Sequence, residues 1–299
     1  MFAGSSITRL RAAVAAALAL TLLLTACADD EPAADAPASE APATSVPNDD
    51  VPPASEPPAQ SAARLRLWLS LEDFTGLTVR QGQVTGAQFG RASLTELFEG
   101  PAGSEAALGW GTAIPAGTEL LGLSISSGIA TVDLSDEFES GGGSLSVRLR
   151  LAQLVYTLTE FDTVDGVILR IEGDDVDTFS SEGLVLDQPM TRADFEDLVA
   201  PIVVLAPFAG QEISSPVEVR GTANVFEANV SMRIVDEDGN ELASDFATAT
   251  CGTGCRGTYQ KKISFQVDQA QNGFVEVFES SAEDGSPLHM VRVPVLLVP

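Results

Sequence analysis

The chain has 299 residues and a formal net charge of −27, with 43 Asp and Glu against 16 Lys and Arg. Such a polyanion repels nucleic-acid phosphates and anionic lipid surfaces at long range, so nucleic acid is excluded as a partner. An apolar fraction of 44% is that of a folded protein, and the length allows two ordinary domains beyond a leader and a linker.

Residues 1–27 divide into three parts: a basic start at Arg9 and Arg11, an apolar run from Ala12 to Leu24, and the tetrad Leu24-Thr25-Ala26-Cys27. The run is shorter than the roughly 20 residues a membrane-spanning helix needs and has the length of a secretory signal. The tetrad resembles the bacterial lipobox, an aliphatic residue and two small ones before a cysteine. The expectation is a signal peptide over 1–26, cleaved beside Leu24, Thr25 and Ala26, with Cys27 lipidated through a thioether. Two acyl chains hold a protein on a membrane stably, at about 0.8 kcal/mol per buried CH₂. The alternative is an ordinary secreted protein with Cys27 beside the cleavage point by chance. Without Arg9 and Arg11 the mature chain carries 14 basic against 43 acidic residues, a charge of −29.

Residues 27–63 form the linker. Between 28 and 63 stand eight Pro and eight acidic residues, with no Lys, Arg or aromatic residue. Such a composition cannot bury enough apolar surface to offset chain entropy. The expectation is a disordered tether whose extended reach approaches about 110 Å.

A first folded unit is expected over 64–198. Arg64 to Leu71 alternates strictly, with Leu65, Leu67, Leu69 and Leu71 on one face of a strand. Ser93-Leu94-Thr95-Glu96 reads as a capping box at a helix start, and Gly100-Pro101 ends that helix. Glu119 to Leu134 reads as two strands around Ser126-Ser127-Gly128. Leu145 to Phe161 is helical by the spacing of Leu151, Leu154, Val155 and Leu158, and Gly166 to Ile171 is a strand. Thr191-Arg192-Ala193-Asp194 caps a last short helix through Leu198. The order implies an α+β layer with helices packed on a sheet.

Four blocks in this unit resemble the GerMN domain of sporulation and germination lipoproteins. They are Leu94 to Pro101, Ala113 to Thr118, Ala130 to Ser135 and Ala152 to Thr159. The resemblance implies a fold similar to ring-building modules and a role in protein–protein packing; it brings no catalytic residues.

A second unit is expected over 199–299. Strands are predicted at 202–205, 217–222, 230–235, 241–247, 259–267, 274–279 and 290–298. Asp238-Gly239-Asn240 and Gln271-Asn272-Gly273 read as turns between them. Seven short strands at this spacing imply a β-sandwich. Ile213 to Val217, Gly221 to Ala228, Val277 to Glu279 and Ala282 to Pro287 resemble the immunoglobulin-like domain of bacterial spore germination.

Candidate sites are few. Cys251 and Cys255, around three small residues, are expected to form a disulfide outside the membrane, worth about 2 kcal/mol by chain entropy; free thiols or a catalytic pair are the alternatives. Gly252-x-Gly254-x-x-Gly257 matches a dinucleotide fingerprint formally, but strand-like sequence follows it where a helix is required. His289, the single histidine, has no nucleophile arrangement nearby and reads as structural or exposed. Asp174-Asp175-Val176-Asp177 and Asp236 to Asn240 offer oxygen ligands to Ca²⁺ but fit no twelve-residue loop, and read as solvated turns. Asn229-Val230-Ser231 matches a glycosylation sequon in a segment that reads as a strand.

These readings point to a non-enzymatic protein, with no cofactor and no metal, acting as a protein-interaction scaffold at the cell envelope. Its partners are expected to be the membrane, through the lipid anchor, and an envelope protein. The competing reading is capture of a small ligand or cell-wall glycan, with or without Ca²⁺. Exposed aromatics would serve that role, but Trp68, Trp110, Tyr156 and Tyr259 are the only Trp and Tyr, and Tyr156 is expected to pack within its helix.

Overall fold

The computed structural model describes residues 60–71, 74–85, 88–179 and 183–299. The expected signal peptide with Leu24, Thr25 and Ala26, the expected anchor Cys27, and the proline-rich run through 59 lie outside the described residues.

Strands β1 (Gln60–Leu71) and β2 (Phe74–Thr85) form one long antiparallel hairpin, in register from Leu71↔Phe74 to Gln60↔Thr85. Pairing with β2 carries β1 back to Gln60, four residues before the expected strand start at Arg64, so residues 60–63 are strand and not part of the expected disordered linker. β2 is not anticipated, because Phe-Thr-Gly-Leu-Thr-Val-Arg-Gln-Gly-Gln-Val-Thr lacks strict alternation; β1 supplies its partner.

Helix α1 (Phe89–Glu99) corrects the expected capping box. It starts four residues before Ser93, which is fully buried inside the helix, and no side chain caps its first turn. Burial of Leu94 and Leu97 in the core sets the helix's position and overrides the local capping pattern. Gly100, at φ +73°, ends it as expected, with its N–H on the Leu97 carbonyl.

One helical turn, α2 (Gly103–Ala106), leads to β3 (Trp110–Gly111), which pairs with the end of β1 through Leu71↔Trp110. Strands β4 (Leu120–Ser126) and β5 (Ile129–Leu134) form the predicted hairpin. Ser127 (φ +51°) and Gly128 (φ +83°) supply the left-handed pair its tight turn requires. Helix α3 (Ser144–Leu158) then crosses to β6 (Gly166–Ile171), which lies parallel to β5.

Short strands β7 (Asp174–Asp175), β8 (Thr178–Phe179) and β9 (Leu184–Val185) follow. Thr191 and Asp194 make the predicted capping box, but the segment Arg192–Leu198 is 3₁₀ rather than α, kinked at Phe195.

Every residue of α3 from Leu149 to Leu158 is buried, so the helix is the axle of this domain. Three of those residues are polar and bond to backbone. Thr157 Oγ1 accepts the Trp68 N–H (3.0 Å), and Gln153 Nε2 donates to the Trp68 carbonyl (3.2 Å) while Gln153 Oε1 accepts the Ala113 N–H (2.8 Å). The edge of β1 that β2 leaves open is thus closed by helix side chains at Trp68 and by β3 at Ser70 and Leu71. Arg150, 2% exposed, donates to the carbonyls of Phe138, Ser140 and Gly141 and fixes the loop leading into α3.

The second domain is all β. One sheet has the order β10-β12-β15 and the other β11-β17-β16-β13-β14. The strands are β10 (Ile202–Ala206), β11 (Gln211–Ile213), β12 (Val217–Ala223), β13 (Asn229–Asp236), β14 (Glu241–Thr248), β15 (Gly257–Ile263), β16 (Gln271–Ser280) and β17 (Pro287–Leu297). Val219, Val230, Ile234, Val275 and Val277, at zero exposure, alternate inward between the sheets. Gly239 (φ +86°) makes the predicted turn with Asp236, whose carboxylate accepts the Asn240 N–H.

The other predicted turn is corrected: Gln271, Asn272 and Gly273 are strand, paired with Leu297, Leu296 and Val295. Gly273 is there for close approach, since a Cβ would lie 2.5 Å from the Val235 carbonyl oxygen.

Strand β10 serves both domains. Ile202 and Val204 enter the sandwich core while Val203 enters the core around α3, which explains an unbroken apolar run buried on both faces. Just before it, Thr75 bridges to Val199, and the Ala200 N–H bonds the Thr75 carbonyl at 2.9 Å.

Candidate functional site: the groove between the domains

Beyond β10 the two domains diverge around a groove of about 690 Å³. Leu108 and Trp110 line it from the first domain; Pro207, Phe208, Phe274 and Pro294 line it from the second. Arg64, on β1, stacks over the Phe208 ring at 4.2 Å, so the groove's aromatic wall is held from both sides.

A charged cluster underlies the second-domain wall. Phe274, Glu276 and Phe278 stand on the outer face of β16, opposite the inward Val275 and Val277. Glu276, only 4% exposed, forms ion pairs with Arg292 (2.7 Å) and Arg233 (2.5 Å). Arg292 lies 4.1 Å over the Phe274 ring and Arg233 5.3 Å over Phe278. Two guanidinium groups share one carboxylate, so the cluster keeps one positive charge beside the groove, whose lining also carries the carboxylates of Glu105 and Glu237. The second-domain wall thus sets apolar rings beside the Arg292 guanidinium.

Cys251 and Cys255 are joined, with Cα atoms 5.7 Å apart. Their loop is stitched down: the Thr253 N–H bonds the Val225 carbonyl, the Gly254 N–H bonds Asn224 Oδ1, and Thr253 Oγ1 accepts the Glu227 N–H. The loop aims Arg256 at the domain junction, where it donates to the carbonyls of Val199 (3.2 Å) and Ala200 (2.8 Å). Burial pulls the Arg256 guanidinium below its ordinary value. Sequence reasoning misses Arg256 and Arg292; the one signal for either is that each is a rare cation in an acidic chain.

The remaining candidates are dispersed. The Gly252 and Gly257 positions press against Ala228 and Cys251 backbone, and β15 follows directly, so the glycines serve loop packing. His289, 40% exposed, sits 3.9 Å from Glu279. Asp175 pairs with Arg170 at 2.6 Å, and Asp236 is occupied by Asn240. Among the described residues no group of three metal-ligating side chains converges. Asn229 opens β13. Tyr156 packs in the first core with its ring centroid 4.6 Å from that of Trp68.

Beneath these rings Glu160 accepts from Arg66 (2.9 Å), Arg192 (2.6 Å) and the Trp68 indole (3.1 Å). Burial works to raise its carboxyl, but the bonds from Arg192, Arg66 and Trp68 outweigh this and hold it below the ordinary range.

Two family models match separate parts of this chain. Residues 72–177 match the sporulation and spore germination family, and residues 201–286 match the immunoglobulin-like domain of bacterial spore germination. Among solved structures, the tandem GerMN domains of the sporulation protein GerM from Bacillus subtilis align at 17% identity and TM-score 0.40. That alignment covers 68% of this chain and 62% of the tandem structure, so the chain spans less than two thirds of it. The first GerMN domain alone aligns at 22% identity and TM-score 0.39, over 44% of this chain and 99% of that one. A putative lipoprotein from Clostridium perfringens aligns at 18% identity and TM-score 0.33, over 52% of this chain and 98% of that one. No curated protein matches.

Proposed function

We propose that this chain, a GerMN domain joined to the immunoglobulin-like domain of bacterial spore germination, is a non-enzymatic scaffold of the bacterial envelope that docks a partner protein in its interdomain groove. The observation that carries the reading is the wall of Phe208, Phe274 and Pro294 with Arg292 stacked beside it. A partner segment placing one leucine-sized side chain there gains about 2–3 kcal/mol from burial. A neighbouring carboxylate on Arg292 adds about 1.5–3 kcal/mol and fixes orientation. In this reading Cys27 is acylated after cleavage beside Leu24, Thr25 and Ala26, and residues 28–59 space the folded part from the membrane outside the cytoplasm.

The test is photo-crosslinking from Leu108 and from Phe208 in intact host cells. The expected result is one discrete protein adduct at both positions, lost in Arg292→Glu. Adducts of wall glycan alone would favour ligand capture and overturn the docking role. For the anchor, radiolabelled palmitate is expected to enter the wild-type chain and not Cys27→Ala.

A further inference from the structure

A second surface on the first domain shares no residue with the groove. Strand β4 is the outer strand of the sheet β4-β5-β6-β7. Its sequence, Leu-Leu-Gly-Leu-Ser-Ile-Ser, holds no charge and no proline. Natural edges of this length are usually blunted by charge or proline. Among the sandwich's outer strands, β14 carries Glu241 and Asp245 and β15 carries Lys261 and Lys262, while the uncharged β10 is covered by the first domain's core through Val203.

The irregularity in β4 falls at its start, between Leu120 and Gly122, and Leu123 to Ser126 stay in regular register with β5. Leu121 and Ile125 are 46% and 44% exposed, and Phe89, at the start of α1, is 39% exposed. α1 packs over Leu123, as the 3.2 Å approach of its Leu123 methyl to a Cβ built at Gly90 shows. Ile125, two residues on, shares that face and stays exposed. Among the described residues, no backbone group outside the sheet bonds residues 120–126.

Charge selects the occupant. Residues 91–147 contain eight carboxylates against a single cation, Arg91 in the first turn of α1, and Glu119 and Asp133 flank β4 directly. A second copy of this chain would bring the same field to the same edge and be repelled. We infer that β4 accepts an added β-strand from a different protein, one whose alternating apolar strand is flanked by Lys or Arg. Ladder hydrogen bonds would supply the affinity, the Phe89–Ile125 strip the apolar contact, and the acidic surround the choice of partner.

The test uses the full chain and two synthetic peptides, each an alternating Val/Thr strand, one flanked by Lys and one by Glu. Amide hydrogen exchange over 120–126 is the readout. The Lys-flanked peptide is expected to slow exchange there by about tenfold or more and to bind at least about tenfold more tightly than the Glu-flanked one, the gap shrinking in high salt. Ser124→Pro is expected to remove the protection. Should that variant misfold, Ser124→Lys, at an exposed position, is expected to weaken the Lys-flanked peptide selectively. Equal binding of the two peptides, protection confined to the groove, or self-association through 120–126 in sedimentation would each overturn the inference.

Discussion

The two domains satisfy their buried polar groups in opposite ways. In the sandwich, ladders pair the backbone, and the central residues Val219, Val230, Ile234, Val275 and Val277 are purely apolar. Its one buried charge, Glu276, stands on the outer face. In the first domain the sheets are interrupted, and the central helix α3 supplies what a further strand would: Arg150, Gln153 and Thr157 bond backbone groups of β1 and of the loops. Stability therefore rests on a few side-chain bonds in one domain and on close-packed backbone in the other.

The largest test of that contrast is Arg150→Met. It leaves the carbonyls of Phe138, Ser140 and Gly141 without a donor, and denaturant titration is expected to show a loss of about 3–5 kcal/mol. For the sandwich the counterpart is backbone crowding. At Gly221 a Cβ would overlap the Val203 carbonyl oxygen and the Tyr259 hydroxyl; Gly221→Ala is expected to cost about 3 kcal/mol by thermal unfolding. If Arg150→Met cost less than Gly221→Ala, the contrast would be wrong in its main term.

Cys251→Ser with Cys255→Ser comes next. Opening so small a ring is expected to cost about 2 kcal/mol. Because the loop positions Arg256, proteolysis near Ala200 should quicken at the same time.

Acid sharpens the comparison least. The Glu160 carboxyl lies below its unfolded value, so its contribution is present above about pH 4.3 and is lost as pH falls through the lower folded value. Wild type should therefore exceed Glu160→Gln by about 1–2 kcal/mol near neutral pH, with the gap closing in acid, as read by melts across pH.

How far the sequence foretells each domain follows the same division. Most sandwich strands are legible because they alternate with period two; β11, three residues paired in parallel with β17, is missed, and Gln271-Asn272-Gly273 is misread by assigning turn chemistry to a glycine needed for contact. The α+β fold and the hairpin at Ser127-Gly128 are legible too. β2 and the true start of α1 are not, since partners distant in sequence decide both. The groove was invisible: its walls come from segments near 108, 208, 274 and 294, and no local pattern joins them. The dual allegiance of β10 was hidden as well, because an apolar run does not say which core each face enters.

The hairpin's entry point has a mechanical meaning. Any tug arriving through the chain before Gln60 is delivered to the first residue of β1, and its component along the strand loads the hairpin lengthwise. The whole register with β2, together with the two bonds clasping Trp68, resists such a pull in shear, side by side rather than one rung at a time. A strand so gripped can transmit load into α3 before it lets go.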